Sequence, residues 1–148
     1  MDMSKSGDLP FSTTIEVRDR CLCLRVQRAA RRLARRFDEA LRPFGLTHGQ
    51  FSILMALNRP APPTIGQLAD FLAMDRTTLT ANLKPLHRRQ LVTLAIDKSD
   101  KRSRLPSLTD EARALLAEAA PIWRATHDDL DAGLTDPVEL RERLAEIA

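Results

Sequence analysis

The chain has 148 residues, enough for one compact domain or two small lobes, and this length argues against a multidomain enzyme. Hydrophobic residues make up 43% and charged residues 29% of the chain, a balance that excludes an intrinsically disordered protein. The formal net charge of +3 permits an anionic partner but does not identify one.

The sequence also indicates where in the cell the protein is located. No stretch contains the roughly 18–20 apolar residues that a membrane-spanning helix needs, and residues 1–10 lack the apolar core of a secretory signal. We therefore expect a cytoplasmic protein with no membrane partner.

Cys21 and Cys23 are too few for a disulfide scaffold. They lie two apart in a predicted helix, where their side chains point to different sides, so we expect no bridge between them.

Two amphipathic helices are predicted in the first third of the chain. After a polar lead of about ten residues, apolar side chains recur at steps of three and four, the period of a helix that Pro43 and Gly45 end. These side chains are Leu22, Val26, Ala30, Leu33, Phe37 and Leu41. Thr47 then caps a second helix, with Gln50 in the reciprocal capping position. The predicted buried side of this helix consists of Phe51, Leu54, Met55 and Leu57.

A helix-turn-helix is predicted next. The proline-rich stretch 58–63 forms a loop, and a short third helix runs from Thr64 to Leu72. A turn at Ala73 and Met74 leads to Asp75, which caps a fourth helix over residues 76–89.

A β-hairpin and two more helices complete the predicted order. Residues 91–96 and 103–108 are strand-like, Pro106 restricts the second strand to an edge, and residues 97–102 form a charged tip. Thr109 caps a long helix that extends to Leu130, and Asp136 caps a final short helix.

Positive side chains cluster in the middle of the chain. They are Arg76, Lys84, Arg88, Arg89, Lys98, Lys101, Arg102 and Arg104. Beyond the capping Asp75, only Asp97 and Asp100 oppose them, whereas acidic residues outnumber basic ones from Thr109 onward. A polyanion is attracted to the helix-turn-helix and hairpin, and this distribution is typical of a duplex-binding protein.

The fourth helix carries side chains suited to reading DNA. Threonine hydroxyls bind phosphates or bases, asparagine pairs with adenine, and arginine reaches guanine or phosphate. The candidates are Arg76, Thr77, Thr78, Thr80, Asn82 and Lys84. A solvated polar face explains this helix equally well when it is taken alone. The adjacent short helix and the basic hairpin favour DNA reading.

Three stretches carry a family resemblance that covers roughly residues 20–148. They are GLTHGQFSILMAL, TIGQLADFLAMDRTTLTANLKPLHRRQLV and DKSDKRSRLPSLTDEARALL. In these stretches the chain resembles the multiple antibiotic resistance regulator (MarR) family of winged helix-turn-helix repressors. In that family a wing Asp orients a wing Arg that enters the minor groove, and Asp100 and Arg102 match this pair. Lys101 and Arg104 flank it as further DNA-binding candidates.

The resemblance implies a mainly α fold with a small β-hairpin wing (α+β). Residues 1–45 and 109–148 would form a helical dimerisation region, and residues 46–108 the winged helix-turn-helix domain. It further implies a homodimer on double-stranded DNA with a palindromic operator, released by a small anionic or aromatic effector. The chain departs from the family at Ala81, where many members have Arg, and at Gln90, where most have Gly. Gln90 must therefore serve a helix-end position that favours glycine.

Two features of the first helix allow further interpretations. Its many arginines either pair across the dimer with the acidic last helices or line a pocket for an anionic effector. Cys23 is placed like the reactive thiol of the peroxide-sensing branch of the family, so a thiol-based sensor that uses Cys23, or Cys21, is an alternative function. That branch activates its thiol with tyrosines, and this chain has none.

Two other classes of function, an enzyme and a protein-interaction module, have less support in the sequence. No glycine-rich phosphate loop or nucleophile elbow is present, and His48, His87 and His127 lack metal-ligand spacing, so we expect no enzyme, cofactor or metal site. A helical protein-interaction module without specific DNA binding is the second rival, and the Thr-rich helix with Asp100 and Arg102 argues against it.

Overall fold

The computed structural model describes residues 7–148 and is mainly helical with one antiparallel β-hairpin. In chain order its elements are α1 (Phe11–Arg20), α2 (Leu22–Leu41), a 3-10 turn (Arg42–Phe44), α3 (His48–Ala56), α4 (Ile65–Phe71), α5 (Arg76–Arg88), β1 (Val92–Ile96), β2 (Arg104–Leu108), α6 (Asp110–Ala132) and α7 (Pro137–Ala145). The predicted fold class and element order are confirmed from α2 onward. No helix in the described part of the chain is long and apolar enough to cross a bilayer.

The start of the chain differs from the prediction. After a lead of about ten residues the sequence predicted a single first helix, whereas the structure has two helices, α1 and α2, and no residue of α1 is buried. Cys21 lies between α1 and α2 in an extended conformation, so the expectation that both cysteines share one helix is wrong. The sulfur of Cys21 instead accepts a hydrogen bond from the backbone N–H of Leu24 at 3.3 Å, which caps α2.

The chain divides into two compact units, one that ends at Arg35 and one that comprises Arg36–Ala148. The second unit contains a core of leucines from the end of α2 and from α3 to α6. Its fully buried side chains include Leu41, Ile53, Leu54, Leu68, Leu79, Leu83 and Leu86. The prediction that Met55 is buried is wrong: Met55 is 40% exposed, and Ile53 takes the buried position.

The hairpin joins this core through its base. Val92 pairs with Leu108 and both are buried, whereas Ile96 pairs with Arg104 near the tip and is 58% exposed. Pro106 lies opposite Leu94 in the edge strand β2, as expected. Gln90, just before β1, has φ +59°, which confirms the sequence-based expectation of a left-handed residue at this helix end.

Candidate nucleic-acid interface

The helix-turn-helix consists of α4 and α5, and side-chain caps fix where each helix begins. Thr64 and Gln67 form a capping box at the start of α4. The carboxylate of Asp75 accepts the backbone N–H of Thr78 at 2.8 Å and its hydroxyl at 2.6 Å at the start of α5. The hydroxyl of Thr78, with its backbone amide, holds the pKa of Asp75 below the usual value. The cap is therefore charged at neutral pH.

A tight turn sets the angle between the two helices. Ala73 adopts φ +51°, and the N–H of Met74 donates to the carbonyl of Ala69 at 2.9 Å. Leu68 of α4 and Leu79 of α5 are buried in the same core cluster. This packing leaves the opposite side of α5 in solvent.

The exposed side of α5 holds most of the predicted DNA-binding residues. Arg76, Thr77, Thr80 and Lys84 are all exposed. Thr78 is exposed as well, but its hydroxyl proton is donated to Asp75. Asn82 is half-buried, and its amide nitrogen lies 3.9 Å from the sulfur of Met74.

The hairpin tip and the first residue of β2 present four exposed cations. These are Lys98, Lys101, Arg102 and Arg104. The carboxylate of Asp100 accepts the backbone N–H of Arg102 at 3.1 Å, and its carbonyl accepts the N–H of Ser103 at 2.9 Å. Asp100 thus shapes the turn through main-chain contacts and leaves the guanidinium of Arg102 without a carboxylate partner within the described residues.

The helix-turn-helix and the hairpin together enclose a cleft of about 480 Å³. It is lined by Thr64, Ile65, Gly66, Arg76, Thr80, Leu83, Lys84, Leu94, Arg102, Ser103 and Arg104. The lining includes four cations and no carboxylate. None of the four forms an ion pair with any residue between 7 and 148. Such a cleft attracts an anion, and the exposed side of α5 borders it.

A second cavity, of about 410 Å³, lies between α3, the end of α4 and α6. Its lining is mostly apolar and consists of Phe51, Ser52, Met55, Ala56, Phe71, Leu72, Ala120, Trp123 and Arg124. Trp123 stacks on Phe51 with ring centroids 6.1 Å apart, and Phe71 is 69% exposed. Sequence reasoning did not identify this cavity. The exposed Phe71 at the end of a short helix was the one local signal available.

The arginines of the first unit are partly paired within their own helices. Arg18 binds Asp19 at 2.7 Å, which lowers the pKa of that carboxyl, and Arg20 binds Glu16 at 2.5 Å. Cys23 is exposed and Cys21 is half-buried.

Comparison with known proteins identifies similar regulators. The MarR family model matches residues 44–103. The chain is 33% identical over 94 residues to the uncharacterized HTH-type transcriptional regulator YwoH of Bacillus subtilis, an alignment that covers 64% of this chain and 68% of that protein.

Two solved structures resemble the fold over most of its length. The Mycobacterium tuberculosis transcriptional regulator MosR in complex with DNA is 37% identical, covers 86% of this chain and 92% of its own, and gives a TM-score of 0.80. The transcriptional repressor CouR bound to a 23-mer DNA duplex is 28% identical, covers 95% of both chains, and gives a TM-score of 0.71. These relatives are regulators rather than enzymes. The comparisons favour neither the peroxide-sensing alternative nor the interaction module without DNA binding.

Proposed function

We propose that this chain, a DNA-binding transcriptional regulator that belongs to the MarR family, represses transcription as a homodimer on a palindromic operator and leaves that operator when a small anionic or aromatic effector binds. One observation supports the DNA-binding face above all others. The capped helix α5 and the hairpin line a single cleft with four unpaired cations and no carboxylate. Neutralising DNA phosphates supplies most of the affinity of such a surface.

Each candidate residue has a proposed role. The exposed side of α5 enters the major groove, where short polar side chains contact base edges. The residues of this helix are Arg76, Thr77, Thr78, Thr80, Asn82 and Lys84. Arg102 enters the minor groove from a tip shaped by Asp100, and Lys101 and Arg104 bind the flanking backbone.

Homodimer formation is supported by apolar side chains exposed near both ends of the chain. In α7 and just after it, Val138 is 62%, Leu144 43% and Ile147 59% exposed; near the start, Phe11 is 74% and Leu22 57% exposed. Apolar area of this kind marks a protein-protein interface. We assign residues 1–45 and 109–148 to the dimerisation region and residues 46–108 to the DNA-binding domain.

The apolar cavity is the proposed effector site. Its aromatic lining suits a planar apolar ligand, and exposed Arg124 supplies a cation for an anionic group. The relative CouR of Rhodococcus jostii RHA1, 26% identical, has been solved with p-coumaroyl-CoA, which is both aromatic and anionic. Because α4 and α6 both line the cavity, a ligand there can alter how α4 presents α5 to DNA.

Selection of bound duplexes from a random pool tests the proposed function. We expect enrichment of a palindrome whose half-sites lie about one helical turn apart, with two chains bound to each selected duplex. Sedimentation of the complex gives this stoichiometry. Enrichment of no sequence, or one chain per duplex, would contradict the proposal.

A further inference from the structure

The guanidinium of Arg76 lies against Gly66, across the gap between α5 and α4. A Cβ added to Gly66 would meet Nη2 of Arg76 at 2.8 Å and Cζ at 3.2 Å. The first distance is closer than real Cβ contacts come, so any side chain at position 66 displaces this guanidinium. Gly66 has no positive φ that would itself require glycine. The guanidinium of Arg76 is therefore the group that a side chain at position 66 would displace.

Helix stability does not explain Arg76. It is the first residue of α5, where the helix dipole disfavours a positive charge. Its guanidinium has no carboxylate partner among residues 7–148. It lines the same cleft as Lys84, Arg102 and Arg104. Four unpaired cations in one cleft repel one another unless an anion lies between them.

We infer that this cleft receives a DNA backbone phosphate, that Arg76 holds the phosphate rather than reading a base, and that Gly66 is a positioning residue that lets Arg76 lie there. This inference rests on the proposed DNA-binding face and refines it. Arg76 lies against the neighbouring helix and lines the cleft, whereas Thr77 is exposed on α5 outside the cleft and remains available for base edges. A phosphate contact fixes the register of the protein on the duplex without carrying sequence information.

A substitution at Gly66 distinguishes its role in positioning Arg76 from a role in stabilising the fold. The atoms that a new Cβ would meet belong to the far end of a flexible side chain, so Gly66→Ala moves Arg76 and leaves the backbone in place. Alanine is the better helix former, so thermal stability should stay the same or rise. DNA affinity should nevertheless fall. If Gly66 were needed only for the fold, Gly66→Ala would lower thermal stability and leave DNA affinity unchanged.

The test is a double-mutant cycle with Gly66→Ala, Arg76→Ala and the double variant, titrated by fluorescence anisotropy against the selected duplex and a scrambled one. Gly49→Ala is the matched control, since Gly49 is likewise the second residue of a capped helix and the nearest atom to an added Cβ lies 3.9 Å away. We expect each single variant to lose about three- to tenfold affinity for both duplexes alike, with the salt dependence reduced by about one phosphate contact. The double variant should bind no more weakly than Arg76→Ala alone.

Different outcomes of this experiment test the role of Arg76 and Gly66 and the proposed DNA binding itself. Full affinity for Gly66→Ala, additive losses in the double variant, or a loss by Arg76→Ala confined to the selected duplex would each overturn the inference while leaving DNA binding intact. Wild-type protein that binds no duplex would overturn both.

Discussion

The carboxylate of Asp75 receives two hydrogen bonds from Thr78, one from the backbone amide at 2.8 Å and one from the hydroxyl at 2.6 Å. This contact fixes the first turn of α5, the helix that carries most of the candidate DNA-binding residues. It also commits the hydroxyl proton of Thr78 to the cap. The start of the proposed reading helix is thus held by an ionised side chain.

We expect the stability that this cap contributes to depend on pH. The hydroxyl and amide of Thr78 lower the pKa of Asp75 in the folded protein. A lowered folded pKa gives stability that is present above the ordinary aspartate pKa of about 3.9 and is lost as pH falls through the folded value. Thermal unfolding of wild type and Asp75→Asn, followed by circular dichroism, should show the wild-type advantage at pH 7 and its decline below about pH 4. An advantage that is constant with pH would contradict a charged cap.

Gln90 offers a stability test outside the proposed DNA-binding face. Its φ of +59° strains any residue with a Cβ, while its carbonyl accepts the hydroxyl of Thr109 at 2.7 Å through the main chain alone. Gln90→Gly should therefore raise the free energy of unfolding by about 0.5–1 kcal/mol, after allowance for the added flexibility of glycine when unfolded. Chemical denaturation measures this gain. An unchanged or lower midpoint would show that the backbone at position 90 is not strained.

The cavity proposed as the effector site contains a natural fluorophore. Trp123 is the single tryptophan of the chain and lines the cavity, so its fluorescence reports occupancy directly. The proposed anionic, aromatic effector class predicts that two probes of that class, p-coumarate and p-coumaroyl-CoA, change this fluorescence and release the selected duplex. Arg124→Gln should weaken binding of the p-coumarate anion about fivefold or more, because it removes the cation at the cavity edge.

An uncharged analogue provides the control for that experiment. Methyl p-coumarate has the same ring but no carboxylate, so Arg124→Gln should leave its binding unchanged. Equal losses for the acid and the ester would contradict an electrostatic role for Arg124. No fluorescence response to any of the three probes would contradict an effector of this class.

Sequence patterns predicted where four helices begin, including both helices of the helix-turn-helix, because local capping contacts set these boundaries. Thr47, Thr64, Asp75 and Thr109 each cap the helix that was expected to begin there. The left-handed residue before the hairpin was expected from the family resemblance, because most members of the family have Gly at the position of Gln90.

Other features depend on packing between distant segments and were not predictable. The break at Cys21 has no proline or glycine to mark it. The short helix α3 is buried on several sides, so the spacing of its apolar residues did not indicate that Ile53 is buried and Met55 exposed. The contact of Arg76 with Gly66 depends on how α4 packs against α5, which residue spacing alone does not specify.

Removal of the Arg102 side chain is the most direct test that the hairpin and α5 form the DNA-binding face. The measurement is an anisotropy titration of the selected duplex with wild type, Arg102→Ala and Arg59→Ala, each also checked for its oligomeric state by sedimentation. Arg59→Ala removes the same charge from an exposed site outside the cleft, the hairpin and the proposed dimerisation region. We predict a loss of about tenfold or more for Arg102→Ala, little change for Arg59→Ala, and an intact dimer in both. Equal affinity of the two variants for the selected duplex would show that the hairpin takes no part in DNA binding.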